Sequence, residues 1–219
     1  MLNDIEAVIF DVDGTLLDSN NVWLVIDKVF MAERGLDYDE NFQKEIDGMS
    51  FHQVAEYSHD KYNLSETPDE LIEIWHNMAR EEYDNNVMAK PGAKEFTDYL
   101  TKKGIKLVIA TSNSHDLIKK SLKRNGIYDC MEHIYSSKNI GETAKDSPEF
   151  YLNIASEIDV EPSKCLVFDD IYPVIESVNK AGMRSCVVLD WRSVDIYGED
   201  LLKSKADYYI NDFTDIKLN

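Results

Sequence analysis

A chain of 219 residues, 43% hydrophobic and 30% charged, has the make-up of a protein that buries a core, and its length suits one main domain carrying a smaller insertion. Its 42 acidic residues outnumber 23 basic ones, and the resulting charge of −19 repels nucleic acid and anionic membranes and demands local positive charge at any anion site. No apolar run reaches the roughly 18–20 residues of a membrane helix, and MLNDIEAVIFDVDG has no basic segment leading into a signal core, so a cytoplasmic protein with no membrane partner is expected.

In chain order, the first element is the apolar run 7–10, which ends at Asp11. Residues 18–89 then show helical periods and no convincing buried strand. Within them, 20–34 carries Val22, Trp23, Ile26, Val29 and Phe30 and stops at Gly35. Thr67-Pro68-Asp69-Glu70 spells a capping box with proline at the first helical position, leading into Leu71, Ile72 and Trp75. From residue 90 onward the pattern alternates. Helices are expected over 91–103, 114–125, 148–158 and 173–181, with Gly104, Gly126 and Gly182 as stops. Strands are expected over 105–110, 132–135, 165–168, 185–189 and 208–210. Their apolar residues bunch rather than alternate, as in strands covered on both faces. The fold class is therefore α/β: a doubly wound, Rossmann-like parallel sheet over 1–17 and 90–219, with a small helical domain over 18–89. Cys130, Cys165 and Cys186 lack metal-ligand spacing and read as reduced, packed thiols.

Chemistry concentrates where the expected strands end. In Phe10-Asp11-Val12-Asp13-Gly14-Thr15-Leu16, two carboxylates follow a buried run, and Gly14 lets the chain turn away. In Leu166-Val167-Phe168-Asp169-Asp170 a second buried run ends the same way. Ligands of open α/β sheets bind beyond the carboxyl ends of the strands. Two acidic strand ends on one sheet imply a shared cation, and carboxylate oxygens suit a hard Mg²⁺ ion. A third strand end, Thr111-Ser112-Asn113-Ser114, offers hydroxyls, an amide and a helix N-terminus, a combination suited to a phosphate. Lys145, just before an expected helix, is placed to supply positive charge.

The order Asp-x-Asp-Gly-Thr, strand-ending Thr-Ser, Lys, strand-ending Asp-Asp resembles the haloacid dehalogenase superfamily over essentially the whole chain, and residues 18–89 look like that family's helical cap. The resemblance implies a phosphatase acting on a small phosphorylated metabolite. Asp11 would be the nucleophile and Asp13 the general acid and base. Thr111 would bond the transferring phosphoryl group, with Ser112 and Asn113 beside it, and Lys145 would offset its charge. Mg²⁺ would be held by Asp11, the backbone carbonyl of Asp13, Asp170 and Asp169, the last directly or through water. The cap would exclude bulk water, and a monomer is the expected state.

Two departures from the family pattern stand out. Lys145-Asp146-Ser147-Pro148 lacks the family's first proline after the lysine. Asp170 is followed by Ile171 and Tyr172, where serine is usual, and a tyrosine there is expected to narrow the site. The rival reading on the same scaffold is a sugar-phosphate mutase of the β-phosphoglucomutase kind. Such relatives carry a histidine near Asn20–Trp23 and an arginine near 48–51. This chain has neither, although His52 is close. A catalytically silent phosphate-binding module is the alternative outside enzymes.

Overall fold

A computed structural model of the chain describes residues 1–38, 42–46, 51–136, 140 and 144–218, without the side chains of Gln43, Lys44 and Phe51. The mutase-related positions 48–50 and residues 141–143, which precede Lys145, lie outside them. The described residues form two compact units. One is Met1–Asn20 with Val87–Asn219, and the other is Asn21–Asn86.

The first unit is built on six parallel strands: β1 (Ala7–Phe10), β2 (Lys106–Ala110), β3 (His133–Tyr135), β4 (Cys165–Asp169), β5 (Arg184–Val188) and β6 (Tyr208–Ile210). They lie in the order β3-β2-β1-β4-β5-β6. β1 is thus the strand from which the chain winds outward in both directions, and the crevice beside such a switch point is where ligands bind. Register brings the ends of three strands level, since Phe10 pairs with Ile109 of β2 and with Phe168 of β4. The residues just after them, Asp11, Thr111 and Asp169–Asp170, therefore reach the same edge of the sheet.

Side chains alternate across a strand. On one face Phe10 stacks on Phe168 at 5.2 Å, and Phe96 and Phe213 close the aromatic cluster. On the other face Ala7, Ile9, Cys165 and Val167 join Phe150, Tyr151 and Ile154. The same alternation sends Asp11 and Asp169 to the face of Ile9 and Val167. That face is covered by the helix Pro148–Glu157, and Lys145 lies just before it. Ser147 caps this helix by accepting from the Phe150 amide at 3.3 Å, with Pro148 in the first turn. Two short helices after β5, Trp191–Tyr197 and Glu199–Lys205, were not expected from the sequence. Their apolar positions are too few and too short-ranged to show a helical period.

The second unit is helical: Val22–Glu33, a short Phe42–Glu45 turn of helix, Phe51–Tyr62 and Pro68–Asn85. The capping box forms as its residues imply. Thr67 accepts from the Glu70 amide, and Glu70 Oε2 accepts from the Thr67 amide at 2.7 Å. Phe30 and Trp75 meet edge to face at 5.5 Å, and Arg34 lies over the Phe30 ring while pairing with Glu66 at 2.6 Å. No helix among the described residues is long and apolar enough to cross a membrane.

Candidate active site

The residues singled out by the sequence meet at the carboxyl edge of the sheet. Asp11, Asp13, Ser112, Lys145 and Asp170 line one pocket of about 170 Å³, together with Asn20, Ile171 and, from the helix Trp191–Tyr197, Arg192, Ser193 and Ile196. Asp169 is buried beneath it, with Oδ1 accepting from the Ile171 amide at 3.1 Å. Thr111 is fully buried at the end of β2, where its hydroxyl oxygen accepts from the Asn113 amide at 3.0 Å. Tyr172 does not line this pocket, contrary to the expected narrowing. Its hydroxyl donates to Glu176 at 2.5 Å and its ring packs on Tyr197, so Ile171 forms the wall instead.

Lys145 is the cation the acidic cluster requires. It is buried, donates to Asp11 Oδ1, and lies 2.7 Å from Asp169 Oδ2. The contact with Asp169 is an ion pair rather than an aligned hydrogen bond, which leaves that buried oxygen with unused acceptor capacity. Burial pulls the Lys145 ammonium down, but Asp11 and Asp169 hold it well above the ordinary lysine value. Burial pushes the Asp11 carboxyl well up. Lys145 opposes this, while Asp169, Asp170 and Asp13 add to it. Burial and then Asp169 push Asp170 up to about 7, against the bond from Ser193 and the charge of Lys145.

One lysine thus faces more carboxylates than it can neutralise. Asp11, Asp169 and Asp170 each offer an oxygen, and these atoms lie within 4.8 Å of one another. Three buried carboxylates at that spacing, raised carboxyl pKa values and an oxygen with spare acceptor capacity fit a hard divalent cation. They would share the ion with waters and a ligand oxygen.

Asp13 is held differently. Ser19 Oγ donates to its Oδ1 at 2.5 Å and Asn113 Nδ2 to its Oδ2 at 2.7 Å. Asn113 was expected beside a phosphate; the structure shows its amide engaged with Asp13. Sequence reasoning missed Asn20, Lys90, Asp190 and Ser193. Asp190 is fully buried and accepts from Asn20 Nδ2 at 2.8 Å and Lys90 Nζ at 2.5 Å. Ser193 Oγ donates to Asp170 Oδ2 at 2.6 Å. The signal available was Val187-Val188-Leu189-Asp190, a further apolar run ending in a carboxylate.

Comparison with known proteins agrees with this geometry. The family model for haloacid dehalogenase-like hydrolases matches residues 8–188, spanning Asp11 to Asp170 and ending short of Asp190. A Drosophila melanogaster protein provisionally named a pseudouridine-5′-phosphatase is 25% identical over 95% of this chain and 93% of its own. A phosphorylated carbohydrates phosphatase of Thermotoga maritima is 25% identical over 81% of this chain and 82% of its own. A solved Thermotoga maritima structure, provisionally described as a β-phosphoglucomutase, superposes with a TM-score of 0.82 at 23% identity, covering 94% of each chain. With a family match that takes in β1 to β5 and the strand ends bearing Asp11, Thr111 and Asp169–Asp170, the chain belongs to the haloacid dehalogenase-like hydrolases.

Proposed function

We propose that the chain is a Mg²⁺-dependent phosphatase that hydrolyses a small cytoplasmic phosphomonoester through a phospho-aspartate on Asp11. The observation that carries this reading is the meeting of Asp11, Asp169 and Asp170 within 4.8 Å, with Lys145 donating to Asp11 and ion-paired with Asp169. The phosphatase names of the relatives support it, and so does the family.

In the first step an Asp11 oxygen attacks phosphorus, the P–O ester bond breaks, and Asp13 delivers a proton to the leaving oxygen. In the second, Asp13 takes a proton from water, the water oxygen attacks phosphorus, and the P–O bond to Asp11 breaks, releasing inorganic phosphate. Lys145 holds Asp11 in place and offsets charge on the phosphoryl oxygens. Ser19 and Asn113 grip both oxygens of Asp13, so its carboxyl reaches the leaving group from a set direction. Thr111, whose hydroxyl oxygen accepts from the Asn113 amide, would bond the transferring phosphoryl group, with Ser112, exposed at the pocket, beside it. A Mg²⁺ ion on Asp11, Asp169, Asp170 and the Asp13 carbonyl would shield the attacking carboxylate from the anionic phosphate. Residues 18–89 are assigned as the cap that selects the substrate.

The test is phosphate release from p-nitrophenyl phosphate and a panel of phosphomonoesters with Mg²⁺, for the native protein and Asp11→Asn. The native protein should release phosphate and, when quenched in acid, carry a labelled phosphoryl group that Asp11→Asn lacks. Isomer production from a hexose phosphate without phosphate release would instead assign the mutase.

A further inference from the structure

Asp190 is fully buried, lies beyond the span matched by the family model, and takes no part in the steps above. Its carboxylate accepts from Asn20 Nδ2 at 2.8 Å, from Lys90 Nζ at 2.5 Å and from the Arg192 amide at 3.1 Å. The bond to Arg192 makes Asp190 the N-cap of the helix Trp191–Tyr197 and sets the turn that carries Ser193. Ser193 Oγ in turn donates to Asp170 Oδ2 at 2.6 Å. The Asn20 amide, anchored on Asp190, reaches the same Oδ2 at 3.2 Å. An amide nitrogen has two hydrogens, and here both are directed at carboxylates, which fixes the orientation of the Asn20 side chain. Two donors from distant parts of the chain therefore converge on one oxygen of Asp170, and each is oriented through Asp190. Lys90 balances the charge of Asp190, without which so buried a carboxylate would be costly.

We propose that Asp190 is a positioning residue: through Asn20 and Ser193 it turns one oxygen of Asp170 into the protein and so presents the other to the metal. This rests on the reading of Asp170 as a metal ligand. Partners that orient a ligating carboxylate typically change metal affinity about 10- to 100-fold when removed.

The test is calorimetric titration of the metal-free protein with Mg²⁺ for the native chain, Asp170→Asn, Asn20→Ala, Ser193→Ala, Asp190→Asn and Asp190→Ala. Melting curves in chelator confirm that each is folded. Asn20→Ala and Ser193→Ala should each weaken Mg²⁺ binding by about tenfold, and Asp190→Ala by up to about 100-fold. Asp190→Asn keeps acceptors for Asn20 and the cap but loses the pairing with Lys90, so it should recover part of the loss. KM for the phosphate ester at saturating Mg²⁺ should change little. If Asp190→Ala does not fold, Asn20→Ala and Ser193→Ala decide the question. If Asp170→Asn abolishes binding while folded Asn20→Ala, Ser193→Ala and Asp190→Asn bind like the native chain, the positioning role is overturned and the phosphatase reading stands. If Asp170→Asn binds Mg²⁺ as well as the native chain, the metal assignment itself falls and takes the positioning role with it.

Discussion

Replacing Gly14 by alanine separates what the Asp-x-Asp-Gly turn does for folding from what it does for the site. Gly14 has φ +82°, and alanine in that left-handed region costs about 1–2 kcal/mol. Gly182 has φ +74° with open space around it, so Gly182→Ala bears the same backbone penalty alone. For a chain of this length 1 kcal/mol lowers Tm by about 2–4 °C, so both variants should lose about 2–8 °C. Gly14→Ala has a second effect. Its methyl group would sit 2.3 Å from Asn20 Nδ2 and 2.6 Å from Asp170 Oδ2. Uncrowded heavy-atom contacts are about 3.5 Å, so the Asp170 carboxylate must retreat by about 1 Å. A misplacement of that size at a reacting centre costs about 100-fold in rate. The assay is kcat/KM on p-nitrophenyl phosphate at fixed Mg²⁺, with Tm measured in parallel. Gly14→Ala should lose about two orders of magnitude in kcat/KM, whereas Gly182→Ala keeps native activity. Equal activity in the two variants would refute the claim that this glycine exists to let Asp170 and Asn20 approach.

Three further outcomes follow from the same geometry. Metal-free protein should become less stable as pH rises from 5 to 8. Asp170 titrates at about 7 when folded and near the ordinary aspartate value when unfolded, so its contribution is present at low pH and lost as pH passes 7. Mg²⁺ binds the ionised form, so the Tm increase it causes should be larger at pH 8 than at pH 6; differential scanning fluorimetry showing a pH-independent increase would contradict this. Lys145→Met should lower kcat by about 10²- to 10³-fold, because it removes the cation bonded to Asp11; steady-state kinetics within tenfold of native would assign Lys145 a packing role. Thr67→Ala should lower the stability of the helical unit by about 1 kcal/mol through loss of the capping box. Chemical denaturation should register that loss, with kcat on p-nitrophenyl phosphate unchanged.

Asp11, Asp169 and Asp170 were legible because a buried apolar run that ends in a carboxylate marks both a strand and its outward end. Lys145 and Thr111 were legible only in company, since a lone lysine or a strand-ending threonine is common on any surface. Asn20, Lys90 and Asp190 were not, because their partners lie 100 to 170 residues away in sequence. Locally, Asn20 and Asp190 look like helix caps and Lys90 like surface charge. Asn113 was read only as a donor for a phosphate: residue type predicts a donor at that strand end, but its bond to Asp13 joins positions 100 residues apart and shows only in the coordinates. The helices Trp191–Tyr197 and Glu199–Lys205 escaped notice because each is two turns long, too short for periodicity to emerge.

The chain leaves the sheet and returns to it along neighbouring paths. Leu17 bridges Ala89 antiparallel, the Asp18 amide donates to the Met88 carbonyl at 2.9 Å, and the Lys90 amide to the Leu16 carbonyl at 2.8 Å. Once such a neck is fastened, the excursion beyond it resembles a closed loop, and doubling a loop's length costs only about 0.6 kcal/mol. Helices spliced in or trimmed beyond the neck would leave the spacing of Asp11 and Asp170 untouched. Such a neck lets the helical unit change in length or sequence without altering the sheet edge that carries the acidic cluster.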